Sequence, residues 1–241
     1  MTALLFRDDP YLKSATATVV GLTSEGGILP DTSLFYPRGG GQPGDSGRLF
    51  WEGGECEIAS TVKAEDGSGV VLVPAEAAPL PPVGARIEMA LDWERRYRFM
   101  RMHTALHLLS VAVPLPVTGG QIGIEKSRLD FDMPEVIHDR ASVEAAMGKL
   151  IAEDHPVSET WIDEAELDAN PGLVKTLSVQ PPRGAGRIRL VRIGERAAEP
   201  VDLQPCGGTH VRRTSEIGRV RVGKIENKGR SNRRISIKLD D

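Results

Sequence analysis

The chain has 241 residues, 40% of them apolar and 27% charged, with a formal net charge of −4. That length suits one large domain or two small ones, and the acidic balance argues against a protein that coats nucleic acid non-specifically. No apolar run reaches the roughly 20 residues of a membrane span, the start MTALLFRDDP lacks the layout of a secretory signal, and two cysteines, Cys56 and Cys206, argue against a disulfide framework and for a reducing cytoplasm.

Up to about residue 92 the expected elements are strands. ATATVVGL, SLFYP, GRLFW, CEIASTVKA, GVVLVPA and ARIEMALD are rich in β-branched or aromatic residues, and Gly, Pro, Asp and Ser separate them. Short strands at this spacing predict a small β-barrel or sandwich. The Pro-rich AEAAPLPPVG reads as a loop inside it. RGGGQPGDSG, Arg38 to Gly47, has two readings. It joins strands, with glycines for positive φ and Pro43 as a stiff corner, or it is a loop brought to a ligand. In the second case Gln42 offers both a donor and an acceptor, while Asp45 fixes the loop.

The pattern changes at Trp93. WERRYRFMRMHTALHLLSVAV has no Gly or Pro, and Phe99, Met102, Leu106 and Leu109 recur at helical spacing, which predicts a helix with one buried face. GGQIGIEKSRLDFDM alternates like a strand pair. HDRASVEAAMGKLIAED is a second helix, with Val143, Ala146, Met147, Leu150 and Ile151 on one side. VSETWID and GRIRLVRIG are strands, DEAELDAN is a short helix ending before Pro171, and the last 25 or so residues are strands around a Gly/Asn turn. The expected organisation is therefore α+β: a small β-barrel domain over residues 1–92, then helices on a largely antiparallel sheet over 93–241.

Two pairs of metal-binding side chains stand out. His103 and His107 lie four apart on the first helix, so both imidazoles can reach one ion. Cys206 and His210 flank GGT, where glycines let a loop bend both side chains to one point. Two His with a Cys and a third His suit tetrahedral zinc better than magnesium or calcium. HExxH is absent, which argues against a peptidase. His138 and His155 lie in polar surroundings and read as surface residues. Basic residues cluster at Arg95, Arg96, Arg98 and Arg101 and again from Arg212 to Lys238. They are solvated faces or a focused phosphate-binding surface.

HxxxH followed far downstream by CxxxH resembles the editing domain of alanyl-tRNA synthetase and its freestanding relatives, the AlaX group of alanyl-tRNA editing proteins. CGGTHVRRTSEIGRVRV is close to that family's signature, and RRISI matches its later basic strand. DTSLFYPRGGGQPGDSG resembles the glycine-rich motif of the medium-length members. The resemblance covers nearly the whole chain. The threonyl-tRNA synthetase editing domain shares the ligand pairs but lacks the glycine-rich segment.

The resemblance implies a trans-acting hydrolase that cleaves the ester of tRNA(Ala) mischarged with serine, and also with glycine, using one Zn2+ per chain held by His103, His107, Cys206 and His210. It implies substrate contacts at Gly40, Gly41, Gln42, Gly208, Thr209, Arg128 and Asp130, and tRNA contacts at Arg38, Arg212, Arg233 and Arg234. Arg38 departs from the small polar residue that several members carry after FYP. Arg128 and Asp130 are equally readable as a structural charge pair. Four protein ligands also fit a non-catalytic tRNA- or synthetase-binding module with a structural zinc, and a threonyl-tRNA deacylase is a further alternative. The longest members carry an extra C-terminal segment that this chain, ending at Asp241, is expected to lack.

Overall fold

A computed structural model describes residues 2–65, 67, 69–76, 78–135, 139–176 and 186–240; His138 lies outside them. These residues form two compact units, Met1–Arg98 and Phe99–Asp241, so the division falls inside the helix that begins at Trp93 rather than at its start.

The N-terminal unit contains β1 (Ala3–Leu4), a single helical turn α1 (Leu5–Asp8), β2 (Ser14–Leu22), β3 (Ile28–Pro30), β4 (Thr32–Ser33), β5 (Gly47–Trp51), β6 (Gly54–Lys63), β7 (Val70–Pro74) and β8 (Arg86–Leu91). Six strands close a barrel in the order β2-β3-β7-β6-β5-β8. All its pairings are antiparallel. Alternate residues point inward, so Val19, Leu49, Ile58, Leu72, Ile87 and Met89 fill the interior. Each such burial stabilises by about 1.5–3 kcal/mol, and closure leaves no open edge.

SLFYP was expected to be a strand, and pairing in fact stops at Ser33. The Ser33 hydroxyl bonds the Phe35 main chain on both sides, the Tyr36 N–H donates to Asp45 Oδ2 at 2.6 Å, and Pro37 has no donor. The apolar run is buried without a ladder, which is why it reads like a strand. Arg96, fully buried, holds the same region. It donates to Asp45 Oδ2 from Nε (2.9 Å) and Nη2, and to the carbonyls of Leu34 and Pro10 at 2.9 Å each. Asp45 thus fixes the glycine-rich loop, as its sequence context suggests.

The C-terminal unit takes most of α2 (Trp93–Ala112), then β9 (Val117–Gln121), β10 (Ser127–Asp132), α3 (Arg140–Ala152), β11 (Val157–Asp163), α4 (Glu164–Ala169), β12 (Arg187–Ile193), β13 (Asp202–Pro205), β14 (Val220–Val222), β15 (Glu226–Asn227) and β16 (Asn232–Leu239). Two antiparallel sheets result, β14-β16-β10-β9 with β15 on β16, and β11-β12-β13. Asp139 caps α3 by accepting from the Ser142 N–H. The one-sided burial expected of α2 is too narrow: every residue from Met102 to Ser110 is buried. Helices enclosed on all sides are central rather than peripheral, and the polar residues on this stretch must find partners inside.

Candidate metal centre

His103 and His107 project from one side of α2, a turn apart, while Cys206 and His210 belong to the loop that follows β13. Their ligand atoms all lie within 4.8 Å of one another. Cys206 Sγ is 3.4 Å from His103 Nε2 and 3.5 Å from His210 Nε2, and His210 Nε2 is 3.2 Å from His107 Nε2. Three imidazoles and a sulfur gathered so closely, with the histidines 5–7% exposed, crowd lone pairs that a cation relieves. The cluster can hold a metal ion.

The surrounding residues fix both halves. Thr104 Oγ1 donates to the Met100 carbonyl and accepts from the Val211 N–H at 3.2 Å, tying the loop to the helix. Arg189, on β12, is 7% exposed and lies under the loop. Its Nη1 donates to the carbonyls of Cys206 (2.8 Å) and Gly208 (3.0 Å), and its own carbonyl accepts from the Cys206 N–H. Glu159 on β11 neutralises it through Nε (2.8 Å) and Nη2.

Behind His107, Asp202 Oδ2 lies 2.7 Å from Nδ1, which leaves Nε2 facing the cluster. Gln204 Nε2 donates to Asp202 Oδ2 at 2.8 Å and to Ser110 Oγ at 3.3 Å, and Lys175 Nζ meets Asp202 Oδ1. Burial would lower His107, but Asp202 and Cys206 outweigh it and lift the group to about 9. Burial would raise Asp202, yet His107, Lys175 and Gln204 bring it down to about 2. Burial also opposes ionisation of Cys206, and the neighbouring His103 and His210 overcome it, holding the thiol well below its ordinary range as a thiolate. For His210, burial outweighs the raising influence of Cys206 and, with His103 and His107 nearby, leaves it neutral at about 3.

The other predicted residues fall into three places. Gly208 and Thr209 are buried between the loop ligands, and the Gly208 carbonyl is taken by Arg189. Gly207 beside them is exposed, its φ is not positive, and an added Cβ would meet nothing within 4 Å. Arg128, Asp130 and Arg234 meet on β10 and β16. Arg234 grips Asp130 with two bonds (2.7 and 2.9 Å), and Arg128 bridges Asp130 (3.1 Å) to Gln121. Arg233 is spent on Asn227 Oδ1 and the carbonyls of Gly229, Asn232 and Pro134. Arg212 is exposed.

Arg38, Gly40, Gly41 and Gln42 belong to the N-terminal unit. Gly39 and Gln42 exchange both main-chain hydrogen bonds (3.0 and 2.9 Å) around Gly40 and Gly41 at φ 55° and 80°, a turn that demands positive φ at both centres. Arg38 is exposed, while Gln42 is 1% exposed.

Most of the basic C-terminal residues are paired. Arg219 and Arg221 meet Asp240, Arg221 also meets Glu144, Arg213 meets Asp154, and Lys228 meets Glu226. His155, read as a surface residue, is partly enclosed and contacts Glu153 at 2.8 Å.

Sequence reading missed Arg189, Asp202, Lys175 and Glu159. The one local signal is a charged residue in an otherwise inward-facing stretch: β12, RIRLVRI, buries its Arg189 in the middle of an apolar run.

Residues 188–236, which carry the Cys206/His210 loop, match the family model described as threonyl and alanyl tRNA synthetase second additional domain. Alanyl-tRNA editing protein AlaX-M of Methanosarcina acetivorans is 35% identical over all of both chains, and that of Methanosarcina mazei is 34% identical over all of this chain and 98% of its own. The alanine–tRNA ligase of Pyrobaculum neutrophilum is 34% identical over 93% of this chain, which spans 25% of that longer protein. Full-length similarity to proteins of this size, together with the matched segment that holds half of the metal cluster, settles the kinship: the chain belongs to the AlaX-M family of alanyl-tRNA editing proteins.

Proposed function

We propose that this chain is a trans-acting aminoacyl-tRNA deacylase that hydrolyses the ester of Ser-tRNA(Ala), and also of Gly-tRNA(Ala), in the cytoplasm. The observation that carries the reading is the buried cluster of His103, His107, Cys206 and His210 in a chain of this family. No helix among the described residues is long and apolar enough to cross a membrane.

Zinc is the ion the donor set favours. Tetrahedral zinc with ordinary bond lengths separates N from N by about 3.3 Å and N from S by about 3.5 Å, close to the 3.2, 3.4 and 3.5 Å found here. When bound, it supplies a fixed positive charge that polarises or orients an ester. The chain's own residues do the rest. Gly207, with open space above it, admits the aminoacyl ester to the cluster, while Gly208 and Thr209 form the wall beside it. Main-chain N–H groups in such a wall suit a developing oxyanion. Gln42 is 1% exposed, so a contact from its amide to the seryl hydroxyl or terminal ribose requires the loop around it to open. Arg38, Arg212, Arg233 and Arg234 are assigned to tRNA phosphates; Arg38 and Arg212 are exposed, and Arg233 and Arg234 also hold internal acceptors. Arg128 and Asp130 shape the sheet face through that same network. A pocket for alanine rejects serine weakly because one added hydroxyl excludes little; a second, polar sieve selects for it.

The test is a deacylation panel with seryl-, glycyl- and alanyl-tRNA(Ala) and a mischarged threonyl-tRNA substrate, with zinc measured on the same sample. Release of serine well above the buffer rate, abolished in His103→Ala and Cys206→Ala, is the expected outcome. Preference for the threonyl-tRNA substrate would reassign the enzyme. A second reading, a binding module with a structural metal, is favoured by the four-protein-ligand set, which leaves no open position. It requires salt-sensitive tRNA binding without turnover.

A further inference from the structure

The row of contacts behind His107 ends at the surface. His107 is 5% exposed and the Asp202 side chain 0%, but the Lys175 side chain is 30% exposed. Lys175 therefore links the buried Asp202 carboxylate to solvent. Its main chain is pinned: its carbonyl accepts from the Val117 N–H at 2.9 Å, and the next residue bridges Val117 as well. The ammonium is held beside Asp202 Oδ1, while Oδ2 carries His107 and Gln204.

The two carboxylate oxygens are served separately: Oδ2 by His107 and Gln204, and Oδ1 by the Lys175 ammonium. With Asp202 buried, losing this partner costs some stability, which the thermal melts read separately from the metal. What Lys175 supplies is charge. A carboxylate on the far nitrogen of a ligating imidazole makes that imidazole a stronger donor to a metal, and an uncompensated carboxylate does so more than a neutralised one. We propose that Lys175 is a positioning residue of the metal centre, whose ammonium offsets the Asp202 carboxylate and so limits how strongly His107 donates to a bound metal.

The sign of the effect separates this role from a structural brace. Losing a brace loosens His107 and weakens metal binding. Losing a charge offset leaves Asp202 bearing fully on His107, so binding is maintained or tightened while the ion becomes a poorer electrophile. The proposal of charge tuning rests on the cluster binding a metal; its catalytic consequence rests on the deacylase reading above.

Lys175→Met and Lys175→Arg are compared with the parent chain in three measurements: zinc affinity by competition with a chromophoric chelator, the absorption bands of the cobalt-substituted protein, and deacylation of Ser-tRNA(Ala). Thermal melts confirm that each variant is folded. Expected for Lys175→Met is zinc affinity equal to the parent or raised several-fold, shifted cobalt bands, and deacylation reduced about tenfold, with Lys175→Arg restoring all three. A fall in zinc affinity of more than threefold in folded Lys175→Met overturns the proposal in favour of a brace, and unmoved cobalt bands overturn it in favour of no coupling. Should Lys175→Met fail to fold, Lys175→Gln takes its place under the same criteria. If the parent chain releases no serine, the deacylase reading fails, and the affinity and cobalt measurements still decide the role of Lys175.

Discussion

Cys206 and His210 are aimed by a residue seventeen positions before the first of them. Arg189 holds two carbonyls of the ligand loop and needs Glu159 to offset its buried charge. Arg189→Met strands both carbonyls and Glu159; removing one partner of a buried ion pair costs about 3–5 kcal/mol. Denaturant unfolding is expected to show a loss of that order, with zinc affinity at least tenfold weaker in the chelator competition. Gly207 is the contrast: neither φ nor space requires glycine there, so Gly207→Ala is expected to keep stability within about 0.5 kcal/mol and zinc content unchanged. Serine release alone should fall, since the methyl group would intrude on the entry proposed for the ester. Asp202 and His107 report one contact from its two sides. Asp202 drops from 3.8 to about 2 and His107 rises from 6.5 to about 9 in the metal-free cluster. A lowered acid stabilises the fold above its unfolded value and loses that as pH falls through the folded one; a raised base stabilises below its unfolded value and loses that as pH rises through the folded one. Metal-free protein should therefore hold the full contribution, about 2 kcal/mol, between pH 4 and 6.5. It should shed it on either side, and Asp202→Asn should flatten both limbs of the stability–pH curve.

At the scale of elements, what was legible was what repeats locally. Barrel strands β2, β5, β6, β7 and β8, with α2, α3, the β9–β10 pair and the terminal strands, announce themselves by period and punctuation, and both ligand pairs by four-residue spacing; β3, three residues long, is too short to do so. SLFYP misleads because a buried apolar run looks the same whether a ladder or a hydroxyl and a carboxylate satisfy its main chain. α2 misleads because the apolar spacing of Phe99, Met102, Leu106 and Leu109 marks only one buried face, whereas Thr104 and Ser110 are buried as well as the two histidines. The partners of His107 come from far along the chain: Asp202 and Gln204 are 95 and 97 positions from it. No window of sequence contains them together. The basic strands show the same limit, since Asp240, Glu144 and Asp154 claim arginines whose charge alone suggests a nucleic-acid surface. In the barrel, Arg96 anchors Asp45 and two carbonyls, so Arg96→Met is expected to destabilise the N-terminal unit by about 3–5 kcal/mol, seen as an earlier denaturant transition.

For the whole molecule, a metal held by the cluster would be a ligand of the folded state. At free zinc a hundredfold above its Kd, binding adds about 2.7 kcal/mol. Chelation should lower the unfolding midpoint of the C-terminal unit accordingly, and added zinc should restore it, as calorimetry of the stripped and reconstituted protein would show. With a net charge of −4 and several of the described basic C-terminal side chains held by acidic partners, tRNA contact is expected to neutralise few phosphates. The logarithm of affinity should therefore fall only gently with the logarithm of salt, with a slope of about −0.7 to −0.9 per phosphate neutralised. Arg38→Ala and Arg212→Ala should each flatten it by about one unit, read from binding titrations at several salt concentrations.

The ligands of the centre pair across 103 positions of chain, and this bears on the protein's birth. At about 5–20 residues per second, a ribosome needs roughly 5–20 s to supply Cys206 and His210 after His103 and His107 have been made. During that interval the first histidine pair is a bidentate fragment, open to whatever ion the cell offers and too weak to keep it. A metal taken up by the cluster would therefore arrive as a late clasp on a nearly finished fold rather than as its nucleus, after β12 and β13 have delivered Arg189 and Asp202 to their places.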